Sequence, residues 1–299
     1  GAWQEFIRGK RKKKDVQEFQ YFLMDNIFAL HRELKDGRYK HGAYQHFKIS
    51  DPKPRDIHKA TVRDRLVHHA LYRQLYPFFD RTFIADSYSC RKGKGTHRAM
   101  NRFRQFAYKV SQNHTRTCRV LKCDIRKFFA SIDQRVLIDI VCRYIPDERL
   151  VGLIAEVVGS FHSTEIGKGL PLGNLTSQLL VNVYMTSFDQ FAKRTLKAKH
   201  YIRYADAFAI LSPSRRGLDI FLPRTAMLEN QSSCCVSEIY LKGEIFVRRG
   251  KGGRRNLSRH GGSAGSFRAL RDRAQRRRAH RFVRRSGRRE ESQHGRGLP

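Results

Sequence analysis

The segment Tyr201-Ile-Arg-Tyr-Ala-Asp-Ala-Phe-Ala-Ile-Leu211 limits the fold more than any other stretch of this chain. Apolar and aromatic residues alternate on either side of a two-residue turn that carries Asp206, which predicts a half-buried hairpin. A carboxylate at such a tip suits a hard cation, and a pair of them would make a strong site. The residue that follows is Ala207.

A second block, Leu121-Lys-Cys-Asp-Ile-Arg-Lys-Phe-Phe-Ala-Ser-Ile-Asp133, reads as a strand ending at Asp124 with an aromatic pair behind it. A carboxylate at the C-terminal end of a strand projects into the cleft above a sheet. Asp124 lies 82 residues before Asp206, so the two meet only if their strands are neighbours in one sheet. Together they would hold Mg²⁺ ions bridging a triphosphate and an attacking hydroxyl. Taken alone, each block also fits a plainer reading: Asp124 caps a helix starting near Ile125, and Asp206 favours a turn. A third block, Gly169-Leu-Pro-Leu-Gly-Asn-Leu-Thr-Ser-Gln-Leu-Leu-Val-Asn-Val-Tyr184, is a Gly/Pro loop entering a long apolar helix. Such a loop lets backbone amides approach a ligand or a nucleic-acid strand.

In this order, DIRKFFASID, GLPLGNLTSQLLVNVY and RYADAFAIL resemble the palm motifs of reverse transcriptases. Upstream, Lys53-Pro-Arg-Asp-Ile57 and Val62-Arg-Asp-Arg-Leu-Val-His-His-Ala70 resemble their fingers motifs, and the stretch from Asp86 to His97 resembles the segment that follows. The resemblance covers roughly residues 15–215. The variant LGNLTSQ is most similar to the enzymes of diversity-generating retroelements and their bacterial relatives. The implied fold is α+β: a right-hand polymerase palm, an antiparallel sheet with packed helices, plus fingers. The implied activity is RNA-templated DNA synthesis, a nucleotidyl transfer from a dNTP to a primer 3′-hydroxyl with two Mg²⁺ or Mn²⁺ ions. By position, Asp124 and Asp206 match the catalytic metal-binding aspartates, and the Ile125 carbonyl is a further metal ligand. Phe129 matches the aromatic gate that excludes a 2′-hydroxyl. Lys53, Arg55, Arg63 and Arg65 match residues that grip the incoming triphosphate; a solvated face or a template-phosphate contact is the alternative for each. Leu172, beside Gly173 at the nucleotide, stands where other families carry Gln, a replacement that accompanies error-prone copying opposite adenine. The resemblance implies an RNA template, a DNA or RNA primer and, for that subfamily, a small basic accessory protein.

Two departures stand out. The family's YxDD box reads YADA here, so Ala207 replaces an aspartate beside the metals and polymerase activity is expected to be low or absent. Downstream, Ile239-Tyr-Leu-Lys242 is a remnant of a lysine-containing segment, no FLG-type turn is recognisable, and the thumb is missing or abnormal. Residues 248–299 hold 18 Lys and Arg against three acidic residues, with two aromatics. So few apolar groups cannot offset the entropy of ordering. That stretch, with the unusual Gln231–Ser237, reads either as a basic nucleic-acid tail or as translation in a shifted frame. A non-catalytic nucleic-acid-binding protein and a damaged gene product are the competing functions.

Charge supports a polyanionic partner: the net formal charge is +34 and the sequence pI about 10.6. No long apolar run or strong basic amphipathic helix argues for a membrane. The chain opens GAWQEFIRGKRKKKD, without Met or an apolar leader, which reads as a fragment or a trimmed chain. Six cysteines without CxxC spacing read as reduced thiols of a cytoplasmic protein. The expected organisation is a basic segment and core-packed helix over 1–36, fingers over 37–118, and palm over 119–247 with fingers elements around 145–170; the basic tail follows over 248–299. Strand 119–124 and helices 62–75, 134–144, 149–161 and 176–196 complete the expectation.

Overall fold

A computed structural model describes residues 1–50, 54–219, 239–247 and 258–259. The basic tail, Lys53 and the Gln231–Ser237 block lie outside the described residues, apart from a two-residue strand in the tail.

The chain begins with α1 (Ala2–Phe6), α2 (Lys14–Tyr21) and α3 (Leu23–Lys35). The apolar pattern from Phe19 to Leu34 predicts one helix, but Phe22 leaves helical geometry at ψ 41° and splits it. Trp3, Phe6, Ile7 and Val16 are buried in the main core, so the basic run after Ile7 is a loop strapped onto the body. An antiparallel hairpin follows, β1 (Gln45–Ser50) with β2 (Pro54–Lys59). It escapes sequence reading because its strands are largely exposed and carry no apolar alternation.

Helix α4 (Val62–Phe79) starts at Thr61, whose hydroxyl accepts from the Asp64 amide at 3.2 Å. The periodicity predicts an end at Leu75. Buried Val67, Leu71, Leu75 and Phe79 form a stripe at i, i+4 spacing, and this packing carries the helix past Pro77. Helix α5 (Thr96–Val110) leads to strand β3 (Cys118–Ile125), the single turn α6 (Phe128–Ser131), α7 (Gln134–Tyr144) and α8 (Glu148–Gly159). The Asp133 and Asp147 carboxylates cap α7 and α8, each accepting an amide at 3.0 Å. Helix α9 (Leu175–Gln190) is shorter than the predicted 176–196: its end widens into a π turn (Phe191–Thr195) that keeps Ala192 buried. Strands β4 (Tyr201–Tyr204) and β5 (Ala207–Ser212) form the expected hairpin, followed by α10 (Arg215–Asp219), β6 (Ile239–Val247) and β7 (Ser258–Arg259). The suspected lysine-segment remnant is thus the start of β6, paired to β3.

The second sheet has the order β4-β5-β3-β6-β7, antiparallel throughout. Period-two alternation divides its faces. Leu121, Cys123, Ile125, Tyr201, Phe208 and Ile210 enter the main core, with α9 and α4 beneath. Cys118, Val120, Ile202 and Leu211 pack on the other face against Phe106 and Val110 of α5. Beyond α5 that second face carries Lys122 and Asp124. Burial pushes the Cys118 thiol up to about 11 and the Cys123 thiol up to about 12, leaving both inert.

His68 sits between α4 and α9 with 1% exposure. Its Nδ1 meets the Thr176 hydroxyl and its Nε2 lies 3.1 Å from His41 Nε2. Burial, helped by the neighbouring His41, depresses its pKa from the ordinary 6.5 to about 3. Between those values the unfolded chain binds one proton more than the fold, so stability rises with pH there and is lost as pH falls from about 6.5 toward 3. Urea midpoints measured from pH 7 to 4 are expected to fall, with up to about 1.4 kcal/mol per pH unit from this ring. His68→Gln should flatten that slope by about one proton; an unchanged slope would sink the assignment.

Candidate active site

Strand pairing brings Asp124 and Asp206 together. Asp124 is directly opposite Ala207 on β5 and Tyr240 on β6. Asp206 occupies the two-residue turn just before Ala207, and its carbonyl accepts from the Ile125 amide at 3.3 Å. Directly opposed residues share a face, with Cβ atoms about 5 Å apart. Asp124, Ala207 and Tyr204 therefore lie in register on one face, where Thr96 at the start of α5 meets the Tyr204 hydroxyl at 3.0 Å.

The turn is held from below. Ala205 has φ +54°, a left-handed conformation that costs a residue with a Cβ roughly 1 kcal/mol. Arg203, fully buried on the core face of β4, donates from Nη1 to the Ala205 carbonyl at 3.0 Å. Its other N–H groups reach Asp189 at 2.8–3.0 Å, Asn182 at 3.1 Å and Ser87 at 3.1 Å. Tyr201 also donates to Asp189, at 2.6 Å. The Arg203 backbone bonds to Asp86 and Tyr88, so the 86–89 segment, α9 and the turn converge on one guanidinium. Sequence reading missed this network, yet a signal exists. In Tyr201-Ile-Arg-Tyr the alternation places an arginine on the same face as core Tyr201, where a charge must find a partner.

Burial raises the Asp206 carboxyl above the ordinary aspartate value, opposed by its own and the Ala207 amides and by the positive charge of nearby Arg55. A ligand carboxylate of this kind is protonated, and loses its hold on a cation, at higher pH than an ordinary aspartate. Two carboxylates and a nearby carbonyl suit a hard cation in donor type. They fit it only in part, because Ala207 offers no side-chain oxygen. Among the described residues no three His, Cys, Asp or Glu side chains cluster as metal ligands.

The remaining candidates divide. Phe129 is half-buried on α6, and its carbonyl accepts from Leu170 at 2.8 Å. The Gly169 loop docks on β2: His58 donates to the Leu172 carbonyl at 3.1 Å and its own carbonyl accepts from Asn174 at 3.0 Å. Gly173, at φ +103°, is strained for any other residue, and a Cβ there would stand 3.1 Å from Ile57. Arg63 is occupied elsewhere, bound to Glu33 and, at 2.9 Å, to Asp64, which is itself held by Thr61 and Tyr39. Arg65 pairs with Asp15 at 2.6 Å, beside Lys59 at the other end of the hairpin strand from Arg55.

The fold is α+β, of the polymerase palm-and-fingers kind. It is similar to apo telomerase from Candida tropicalis truncated from its C-terminal domain, with a TM-score of 0.50 at 10% identity over 74% of this chain and 52% of that one. A family model described as reverse transcriptase (RNA-dependent DNA polymerase) matches residues 48–237, and the chain belongs to that family. Among curated relatives, protein YkfC of Escherichia coli is 27% identical over 56% of this chain and 46% of its own length. The putative COX1/OXI3 intron 1 protein of Saccharomyces cerevisiae is 25% identical over 54% of this chain and 20% of its own. The chain therefore spans less than half the length of these relatives. No helix among the described residues is long and apolar enough to cross a membrane.

Proposed function

We propose that this chain carries the nucleotidyl-transfer centre of a reverse transcriptase in weakened form, with an RNA template, a DNA or RNA primer and dNTPs as substrates. The pairing of Asp124 opposite Ala207, with Asp206 at the adjoining turn, supports this reading most directly. Asp124 and Asp206, with the Ile125 carbonyl, would hold Mg²⁺ or Mn²⁺. The bound ions supply charge that stabilises the triphosphate and lowers the pKa of the primer hydroxyl. Arg55 would meet the triphosphate, Phe129 would close the space beneath the sugar, and Leu172 with Gly173 would line the nucleotide base. Residues 37–118 would serve as fingers around that nucleotide and 119–247 as palm, with fingers elements around 145–170; residues 1–36 would strap the fingers from outside and 248–299 would add salt-sensitive nucleic-acid binding. A diversity-generating relationship, with its accessory protein, is the expected subfamily.

Primer extension on an RNA template with Mg²⁺ tests this. Slow dNTP addition abolished by Asp124→Asn is expected; addition unaffected by Asp124→Asn would exclude the site. A second reading, nucleic-acid binding without turnover, is favoured by one observation, the missing carboxylate at Ala207. In that case primer–template binds with affinity unchanged by Asp124→Asn and no extension occurs.

A further inference from the structure

Two buried imidazoles join the segment before β1 to α4 and to the start of α9. The His41 and His68 side chains are out of contact with solvent, and their Nε2 atoms are 3.1 Å apart. Two bare ring nitrogens at that distance repel and two N–H groups clash, so one hydrogen stands between them. The outer bonds decide which ring carries it. His41 Nδ1 is 2.7 Å from the Gly42 carbonyl, which can only accept, so Nδ1 holds a hydrogen and a neutral His41 presents a bare Nε2. His68 therefore donates from Nε2, its Nδ1 is bare, and the Thr176 hydroxyl donates to that nitrogen. The neutral pair has one arrangement in which every group is satisfied: Thr176 to His68, His68 to His41, His41 to the Gly42 carbonyl.

The far end of this relay is the first turn of α9. Asn174, at the cap position, makes no side-chain bond to the helix; its amide donates instead to the His58 carbonyl at 3.0 Å. Tertiary fastenings replace the cap. One is His58, through Leu172 and Asn174; the other is His68, through Thr176. Leu172 and Gly173 lie next to both.

Charge around the pair comes from several elements. Asp64, Arg63 and His69 stand on α4, Lys40 on the segment before β1, and Glu156 of α8 accepts the His41 amide at 3.1 Å. Burial holds Tyr39 and Tyr44 neutral. Lys10, Lys59 and Arg65 share a cavity wall with His68. Asp64 Oδ2 lies 4.0 Å from His41 Nδ1, so a positive charge on the pair is best placed on His41. Uptake of one proton can satisfy this without breaking the chain. The entering proton sits on His68 Nδ1, the shared hydrogen passes from His68 Nε2 to His41 Nε2, and the Thr176 hydroxyl turns from donor to acceptor.

We propose that His41 and His68 are positioning residues acting through one shared hydrogen: they fix the Thr176 hydroxyl, and with it the start of α9 and the Leu172–Gly173 loop, and their relay reverses direction when the pair takes up a proton. That the loop receives a nucleotide rests on the polymerase reading above; the relay does not.

The test is long-range ¹H–¹⁵N NMR of the full chain carrying ¹⁵N-histidine, with His41→Gln and His68→Gln identifying the two rings. At neutral pH His41 should show the Nδ1–H form and His68 the Nε2–H form. On acidification both rings should change at one common midpoint, because strongly interacting sites titrate as a pair, and His68 should pass between neutral tautomers in that step. Thr176→Val removes the donor to His68 and should shift its Nδ1 resonance. It should also speed hydrogen exchange across residues 169–178 by about tenfold, the net worth of one hydrogen bond. Thr176→Ser keeps the hydroxyl and should recover most of that protection, which a purely steric role for the threonine methyl would not allow. Like tautomers on the two rings, or two separate midpoints, overturn the shared hydrogen. Unchanged exchange in Thr176→Val, shown folded by circular dichroism, overturns the positioning role. If Thr176→Val does not fold, the tautomers and common midpoint of the parent decide the proposal. Turnover is not read here, so failure of every variant to extend a primer would overturn the polymerase reading and leave the relay standing.

Discussion

Ala207→Asp is expected to raise RNA-templated primer extension by about 10²- to 10³-fold, equivalent to about 3–4 kcal/mol of transition-state stabilisation. The reason is positional. Residue 207 is directly opposite Asp124 and adjoins Asp206, so a carboxylate there joins both across about 5 Å. Three acidic groups at one strand end repel one another without a counter-ion, so the variant should melt below the parent in EDTA. Mg²⁺ should then restore it: binding at a hundredfold excess over Kd contributes about 2.7 kcal/mol to stability. The parent, with two carboxylates, should respond weakly. Differential scanning fluorimetry with and without Mg²⁺ reads this part independently of catalysis. Extension by the parent within threefold of the variant would show that position 207 is not the lesion.

Breaking the Arg203–Asp189 pair should be the most destabilising single change near the site. Asp189→Leu leaves a guanidinium buried without its anion, which costs about 3–5 kcal/mol. For a body of this size that corresponds to a melting temperature lower by roughly 10 °C. The double variant Arg203→Met/Asp189→Leu removes both charges and should recover most of that loss, since a buried pair replaced by apolar groups is often neutral. It should not recover the turn: without the Arg203 Nη1 donor the carbonyl of left-handed Ala205 is released and Asp206 loses its placement. In an Ala207→Asp background, the double variant should therefore fold while extending primers at least tenfold more slowly, with primer–template affinity unchanged. Full activity in the refolded double variant would reduce Arg203 to a packing role.

Legibility followed burial. The hairpin at 201–212 and β3 were readable because one face is buried and the other is not, which writes a period of two into the residues. Helix α7 was readable to its ends because Asp133 caps it and apolar positions repeat on one side. The β1–β2 hairpin was not readable, since both its faces are largely exposed and its position is set by docking against the Gly169 loop. Candidate arginines looked alike in sequence because a guanidinium is recognised only by what it meets. Arg63 meets Glu33 and Asp64, Arg65 meets Asp15, and the charge of Arg55 is felt at Asp206.

The amino-acid sequence by itself determined the family, the order of Asp124 and Asp206 along the chain and the alanine that follows Asp206, because these are matters of residue type and order along strands. Only the tertiary structure decided which strands are neighbours, that residue 207 is the one opposite Asp124, and that a buried arginine holds the turn. Those facts depend on contacts between residues far apart in the chain, and a linear pattern carries no record of which distant carboxylate a given charge will meet.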